Sequence, residues 1–148
     1  MDGNEPLLTA VTADTIAEAA PAPEAARARQ QTRRVFVRDL EVLTSVGVYE
    51  HEHRYLQRVT VSLSLDVADD YDGRSDDIAH VYDYDEAIGA VRTVLDDGHL
   101  NLIETAAERI AEHCLTNRSV KQVTVRIEKP DVVTGCQAVG IEISRGGR

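Results

Sequence analysis

Apolar and polar positions alternate most clearly over residues 59–67. Val59, Val61, Leu63, Leu65 and Val67 interleave there with Thr60, Ser62, Ser64 and Asp66. A period of two predicts a strand with one buried and one wet face. The same period returns over residues 122–129. Val123, Val125 and Ile127 point one way, Thr124, Arg126 and Glu128 the other, and Pro130 ends the run. Val139, Ile141 and Ile143 predict a last strand. Upstream, Val35 and Val37 are followed by Leu40, Val42 and Leu43, which breaks the parity. A first strand from Arg34 is therefore predicted to be bulged or bent in its middle.

Between the strand pairs the period lengthens. Residues 84–95 space Ile88, Val91, Val94 and Leu95 as a helix does, and Asp96-Asp97-Gly98 stops it. A second helix is predicted from about Leu102 to Leu115, with Ile103, Ala107, Ile110 and Cys114 on one face. Gly47 and the charged residues 50–58 read as a connection too long for a tight hairpin, and residues 69–77 read as a loop. The order is ββααββ. Its economical packing is an α+β domain, a four-stranded antiparallel sheet with two helices on one face. On this reading residues 59–67 lack a second layer and the sheet edges lie open. That predicts a homo-oligomer in which copies close against one another.

The domain is placed at residues 31–148. Residues 1–30, with nine alanines and three of the four prolines, read as a flexible Ala/Pro-rich tail. Charge narrows the partners. Twenty-six acidic against sixteen basic residues give a net charge of −10, which repels phosphate backbones and disfavours nucleic acid. No apolar run is long enough to span a bilayer, so no membrane partner is expected. No basic segment leading into an apolar one opens the chain. Cys114 and Cys136 form no disulfide framework, and a cytoplasmic location is expected.

Four places could carry chemistry, each with a plainer reading beside it. Lys129 shares the apolar face of its strand, where desolvation disfavours the charged amine and suits it to proton transfer; a strand-end lysine also snorkels into water. Glu104 stands three residues after Asn101, as in a capping box; a carboxylate at a helix start can also grip a ligand with two parallel N–H donors, such as a 2-amino-4-oxo pyrimidine. Tyr84 opens the first helix, either covering the sheet edge or relaying a proton. His51 and His53, between Glu50 and Glu52, have the types of zinc ligands but no third ligand at recognisable spacing, so no metal is expected. His80, His99 and His113 carry no motif. Glycine-rich phosphate loops, Gly-x-Ser-x-Gly and His-Glu-x-x-His are missing.

Taken in series, five segments resemble one family. They are Gly47-Val48-Tyr49-Glu50-His51-Glu52 with Gln57; Ser75-Asp76-Asp77-Ile78 with Tyr84; Asn101-Leu102-Ile103-Glu104 with Ala107-Glu108-Arg109-Ile110-Ala111; Val125-Arg126-Ile127-Glu128-Lys129-Pro130; and Val139-Gly140-Ile141-Glu142-Ile143. In order and spacing they resemble dihydroneopterin aldolase of the folate pathway. The resemblance implies the tunnelling fold, with ββααββ subunits closing into a ring whose sheets form a barrel. It implies a tetramer or octamer with sites between subunits, and retro-aldol cleavage of 7,8-dihydroneopterin. No cofactor is implied, because the C6=N5 imine of the substrate already accepts the electrons.

The same resemblance implies roles. Lys129 is the general base and Tyr84 helps reprotonate the intermediate. Glu104 anchors the pterin with the backbone near Ile103. Glu52 reaches towards the substrate from a neighbouring subunit. Leu56 before Gln57, the run Asp131-Val132-Val133-Thr134-Gly135 and the extra phenol of Tyr82 depart from the family pattern around the site. The readings left beside it are a 2′-epimerase, with or without a triphosphate on the substrate, an oxygenase on the same intermediate, a zinc-dependent pterin synthase using His51 and His53, and a non-catalytic ring.

Overall fold

The computed structural model describes residues 32–147; the tail expected over residues 1–30 lies outside them. The elements run β1 (Thr32–Thr44), α1 (Glu50–Arg54), β2 (Gln57–Ala68), a 3₁₀ turn (Ile78–His80), α2 (Tyr84–Leu95), α3 (Ile103–Leu115), β3 (Val120–Lys129) and β4 (Val139–Gly146). The sheet order is β1-β2-β3-β4. β2 pairs antiparallel with β3, Leu63 opposite Val125, and β3 pairs antiparallel with β4, Val125 opposite Ile143. Arg33 meets Asp69, Asp39 meets Ser62 and Glu41 meets Arg58, so β1 runs opposite to β2. The α+β fold expected from the pattern is the one observed.

The bulge in β1 falls at Asp39, whose φ is 56°. Its backbone N–H donates to Ser62 Oγ at 2.9 Å, and that hydroxyl donates back to its carboxylate at 3.3 Å. One extra residue shifts the parity, so Val35 and Val37 before it and Leu40, Val42 and Thr44 after it all turn towards the core. Leu43 faces outward. β2 buries every odd position from Val59 to Val67.

α2 and α3 cover that apolar face. α2 buries Ala87, Ala90, Val91, Val94 and Leu95; α3 buries Ala106, Ala107, Ile110, Ala111 and Cys114. A fully buried valine or leucine contributes about 1.5–3 kcal/mol, so the layer between sheet and helices carries much of the stability. The expected missing layer is corrected here, since the helices already dry the apolar side of β2. Its other side is wet. Arg126 pairs with Glu128 at 2.6 Å and with Glu142 at 3.6 Å there, and Thr60 donates to Glu128. Among the described residues, β1 and β4 are the outer strands of the sheet.

Two local readings are also corrected. The charged connection before β2 contains α1, a helix of five residues with Tyr49 as its N-cap. The capping box expected from Asn101 and Glu104 does not form. Leu102 is the extended N-cap residue (φ −126°, ψ 135°), no side chain caps α3, and Glu104 is its second residue. Asp83 caps α2 instead, accepting from Asp85 N–H at 2.9 Å.

Candidate active site

Four element ends meet on one side of the sheet. Antiparallel pairing sets the start of β2 beside the end of β3, bringing Gln57 near Lys129. α1 supplies Glu52, and the first residue of α3 supplies Ile103. Between them opens a cleft of about 710 Å³, lined by these four residues and by Val139 and Gly140 of β4. Gly140 fits because a Cβ there would press on the Glu128 Cα at 2.9 Å and clash with the Ile127 carbonyl.

Glu52 is the organising group. Its side chain is 6% exposed and that of Lys129 15%. Lys129 Nζ donates to Glu52 Oε2 at 2.8 Å, and Gln57 Nε2 donates to the same oxygen at 2.9 Å. Tyr49 N–H donates to Oε1 at 3.3 Å. Gln57 Nε2 also donates to the Val46 carbonyl at 2.6 Å, tying the carboxylate to the end of the β1 connection. Burial pushes the Glu52 carboxyl up, but the hydrogen bonds from Lys129, Gln57 and Tyr49, with the lysine charge, outweigh it and hold the group at about 2. Gly47 makes room for this arrangement. Its φ is +134°, and a Cβ there would fall on the Glu52 carboxylate.

The lone desolvated amine expected at Lys129 is thus a paired one. Glu52 was expected to serve a neighbouring subunit; it lies instead against Lys129 of its own chain. Lys129, Glu52 and Ile103 line one cleft. Glu104, one residue along α3, is exposed and outside the cleft lining, and Tyr84, 60% exposed at the start of α2, is outside it too. One chain therefore assembles three of the five expected residues.

The cleft mouth is apolar. Tyr49, Tyr55, Leu56, Val132, Val133 and Val139 form an exposed collar that includes the departures noted at Leu56 and after Pro130. Arg58, the nearby cation, is committed to Asp131 at 3.2 Å and Glu41 at 3.3 Å. His51 stacks on Tyr49 and His53 packs on His99, so the two histidines do not share a point. Sequence reasoning passed over His99, which bridges Ser45 and Gly47. Gly98-His99, just after a predicted helix stop, was its only signal.

The dihydroneopterin aldolase family profile (FolB) matches residues 35–144. The chain belongs to the dihydroneopterin aldolase family. The match takes in Glu52, Tyr84, Ile103, Glu104 and Lys129. Dihydroneopterin aldolase of Methylorubrum extorquens is 36% identical over 118 residues, covering 76% of this chain and 89% of that protein. Among solved structures, a Burkholderia dihydroneopterin aldolase bound to guanine superposes with a TM-score of 0.71 at 31% identity, covering 80% of this chain and 94% of that one. Escherichia coli dihydroneopterin aldolase in complex with neopterin gives 0.68 at 29%, covering 77% and 99%. No helix among the described residues is long and apolar enough to cross a membrane.

Proposed function

We propose that the chain cleaves 7,8-dihydroneopterin by a retro-aldol reaction to 6-hydroxymethyl-7,8-dihydropterin and glycolaldehyde, a step of folate biosynthesis in the cytoplasm. The observation that carries this is the Lys129–Glu52 pair, 2.8 Å apart and largely out of water, beside Ile103 in a cleft roomy enough for a bicyclic ring. The neopterin and guanine bound by the two solved relatives support a ring with a 2-amino-4-oxo edge.

In this mechanism Lys129 Nζ, in its unprotonated form, takes the proton of the 2′-hydroxyl, directly or through a water. The C1′–C2′ bond breaks, glycolaldehyde leaves, and the electron pair passes into C6=N5, with N5 gaining a proton. Protonation of C1′, with loss of the proton from N5, restores C6=N5 and gives the hydroxymethyl product. The ring is itself the electron sink, so the protein's task is orientation and proton traffic. Glu52 and Gln57 hold Nζ in place. Glu104 anchors the 2-amino and N3–H edge beside the Ile103 backbone. Tyr84, exposed in the single chain, meets the substrate from a neighbouring subunit of a tetrameric or octameric ring and helps return the proton.

Epimerisation at C2′ would use the same intermediate and remains the second reading for the uncharged substrate. The commitment of Arg58 to Asp131 and Glu41 leaves that guanidinium no free charge for a triphosphate. The test is incubation of the purified chain with 7,8-dihydroneopterin and identification of products. Equal yields of glycolaldehyde and hydroxymethyldihydropterin are expected, and Lys129→Ala should slow turnover by about 10²–10⁴-fold with pterin affinity little changed. Pterin binding without any turnover by the unaltered protein would instead identify a non-catalytic ring.

A further inference from the structure

His99 sits in the turn between α2 and α3, outside the cleft lining, yet both its ring nitrogens are engaged. Nε2 lies 2.8 Å from the Gly47 carbonyl and Nδ1 lies 2.6 Å from Ser45 Oγ. A carbonyl only accepts, so Nε2 carries a proton, and the serine hydroxyl can donate to Nδ1 of the neutral ring. The ring thus brackets residues 45–47 at both ends. The backbones also pair: Gly47 N–H donates to the Leu100 carbonyl at 2.9 Å, and Leu100 N–H donates to the Ser45 carbonyl at 3.2 Å. On its face the ring packs against His53, with centroids 3.8 Å apart and planes 30° apart.

Two of the residues His99 touches, Gly47 and His53, lie beside Glu52. Gly47 is the residue at which a Cβ would fall on the Glu52 carboxylate. Val46, between the two bracketed residues, holds Gln57, which holds Glu52. His53 follows Glu52 on α1. We propose that His99 is a positioning residue for the Glu52–Lys129 pair, fixing the backbone at Gly47 so that the carboxylate keeps its place under the lysine amine. The decisive contact is the Nε2–H bond to the Gly47 carbonyl. A glycine at that point has no side chain to hold it, and a rotation there would move the wall against which Glu52 rests.

This role rests on the proposed proton traffic only for its effect on rate, so the primary readout is independent of turnover. The Glu52 carboxyl is titrated by carbon NMR in the full chain and in His99→Ala, His99→Gln and Ser45→Ala. His99→Ala is expected to move the Glu52 pKa up by at least about one unit, as hydrogen bonds to the carboxylate loosen. His99→Gln, which keeps a donor for Gly47, should restore it. Ser45→Ala should shift it less than His99→Ala does. With dihydroneopterin, His99→Ala should lower kcat about tenfold with KM within about twofold, since the ring anchor is left alone. An unchanged Glu52 titration in a folded His99→Ala protein overturns the inference, and so does failure of His99→Gln to restore it. If His99→Ala does not fold, the Gln variant alone decides, through a Glu52 titration that matches the unaltered protein or departs from it. Absence of cleavage by the unaltered protein would strike the proposed function and leave the NMR result standing.

Discussion

Lys129 Nζ and Glu52 Oε2 lie 2.8 Å apart although 77 residues separate them in the chain. The pair is enclosed, so its two halves are unequal to the sum of two surface charges. Removing one leaves the other buried and uncompensated, which typically costs about 3–5 kcal/mol. Lys129→Met and Glu52→Gln are each expected to lower the urea midpoint, and the double variant to recover part of the loss. A double-mutant cycle in urea checks this; additive losses would mean the pair contributes no coupling.

Acid should act through the same pair. The Glu52 carboxyl is held at about 2 in the folded chain against the ordinary 4.5, so the unfolded chain takes up its proton first. The stabilisation is therefore complete above pH 4.5 and is lost as pH falls through that value towards 2. Between those limits the urea midpoint of the unaltered protein should fall more steeply than that of Glu52→Gln. Parallel slopes would remove Glu52 from the acid response.

Gly47→Ala should cost about 1–3 kcal/mol through backbone strain alone and should also displace the Glu52 carboxylate. Cleavage of dihydroneopterin is expected to fall with it. Adding Glu52→Ala removes the collision but leaves Lys129 without its partner, so the two losses of stability should be less than additive and activity should not return. Thermal unfolding and product assays together separate the two effects.

Asp39 holds the bulge at φ 56°. Asp39→Gly should be nearly neutral, whereas Asp39→Val should cost about 1–2 kcal/mol, because a branched side chain is disfavoured in that conformation. Deleting the residue should be far worse, since it turns Leu40, Val42 and Thr44 away from the core. Chemical denaturation of the three variants tests the order.

Sites shared between neighbours can be read by mixing. Lys129→Ala and Tyr84→Ala subunits are each expected to be nearly inactive. Unfolded together and refolded in equal amounts, they should regain about a quarter of full activity, the share of random neighbour pairs that restores both side chains. No regain would place Tyr84 with its own chain's Lys129.

Much of this could be read from residue order because local periodicity and burial agree. The alternation of residues 59–67 survives intact in β2, and the broken parity after Val37 became the Asp39 bulge. α1 was missed because Glu50-His51-Glu52-His53-Arg54 is too short and too polar to show a helical period. Asn101 misled because a capping signal is weak against tertiary placement of Leu102 in an extended conformation. The Glu52–Lys129 contact depends on two element ends meeting after folding, which no local spacing encodes. His99 was invisible for the same reason, since its hydrogen-bond partners lie more than fifty residues upstream.

The hydrophilic far side of the sheet, with Thr60, Arg126, Glu128 and Glu142, bears on how copies could join. Sheets of this kind, wrapped into a cylinder, would enclose solvent rather than oil. The joint would then be made rim to rim, by main-chain bonds along β1 and β4, and its strength would depend on how well those two rims match in length and twist.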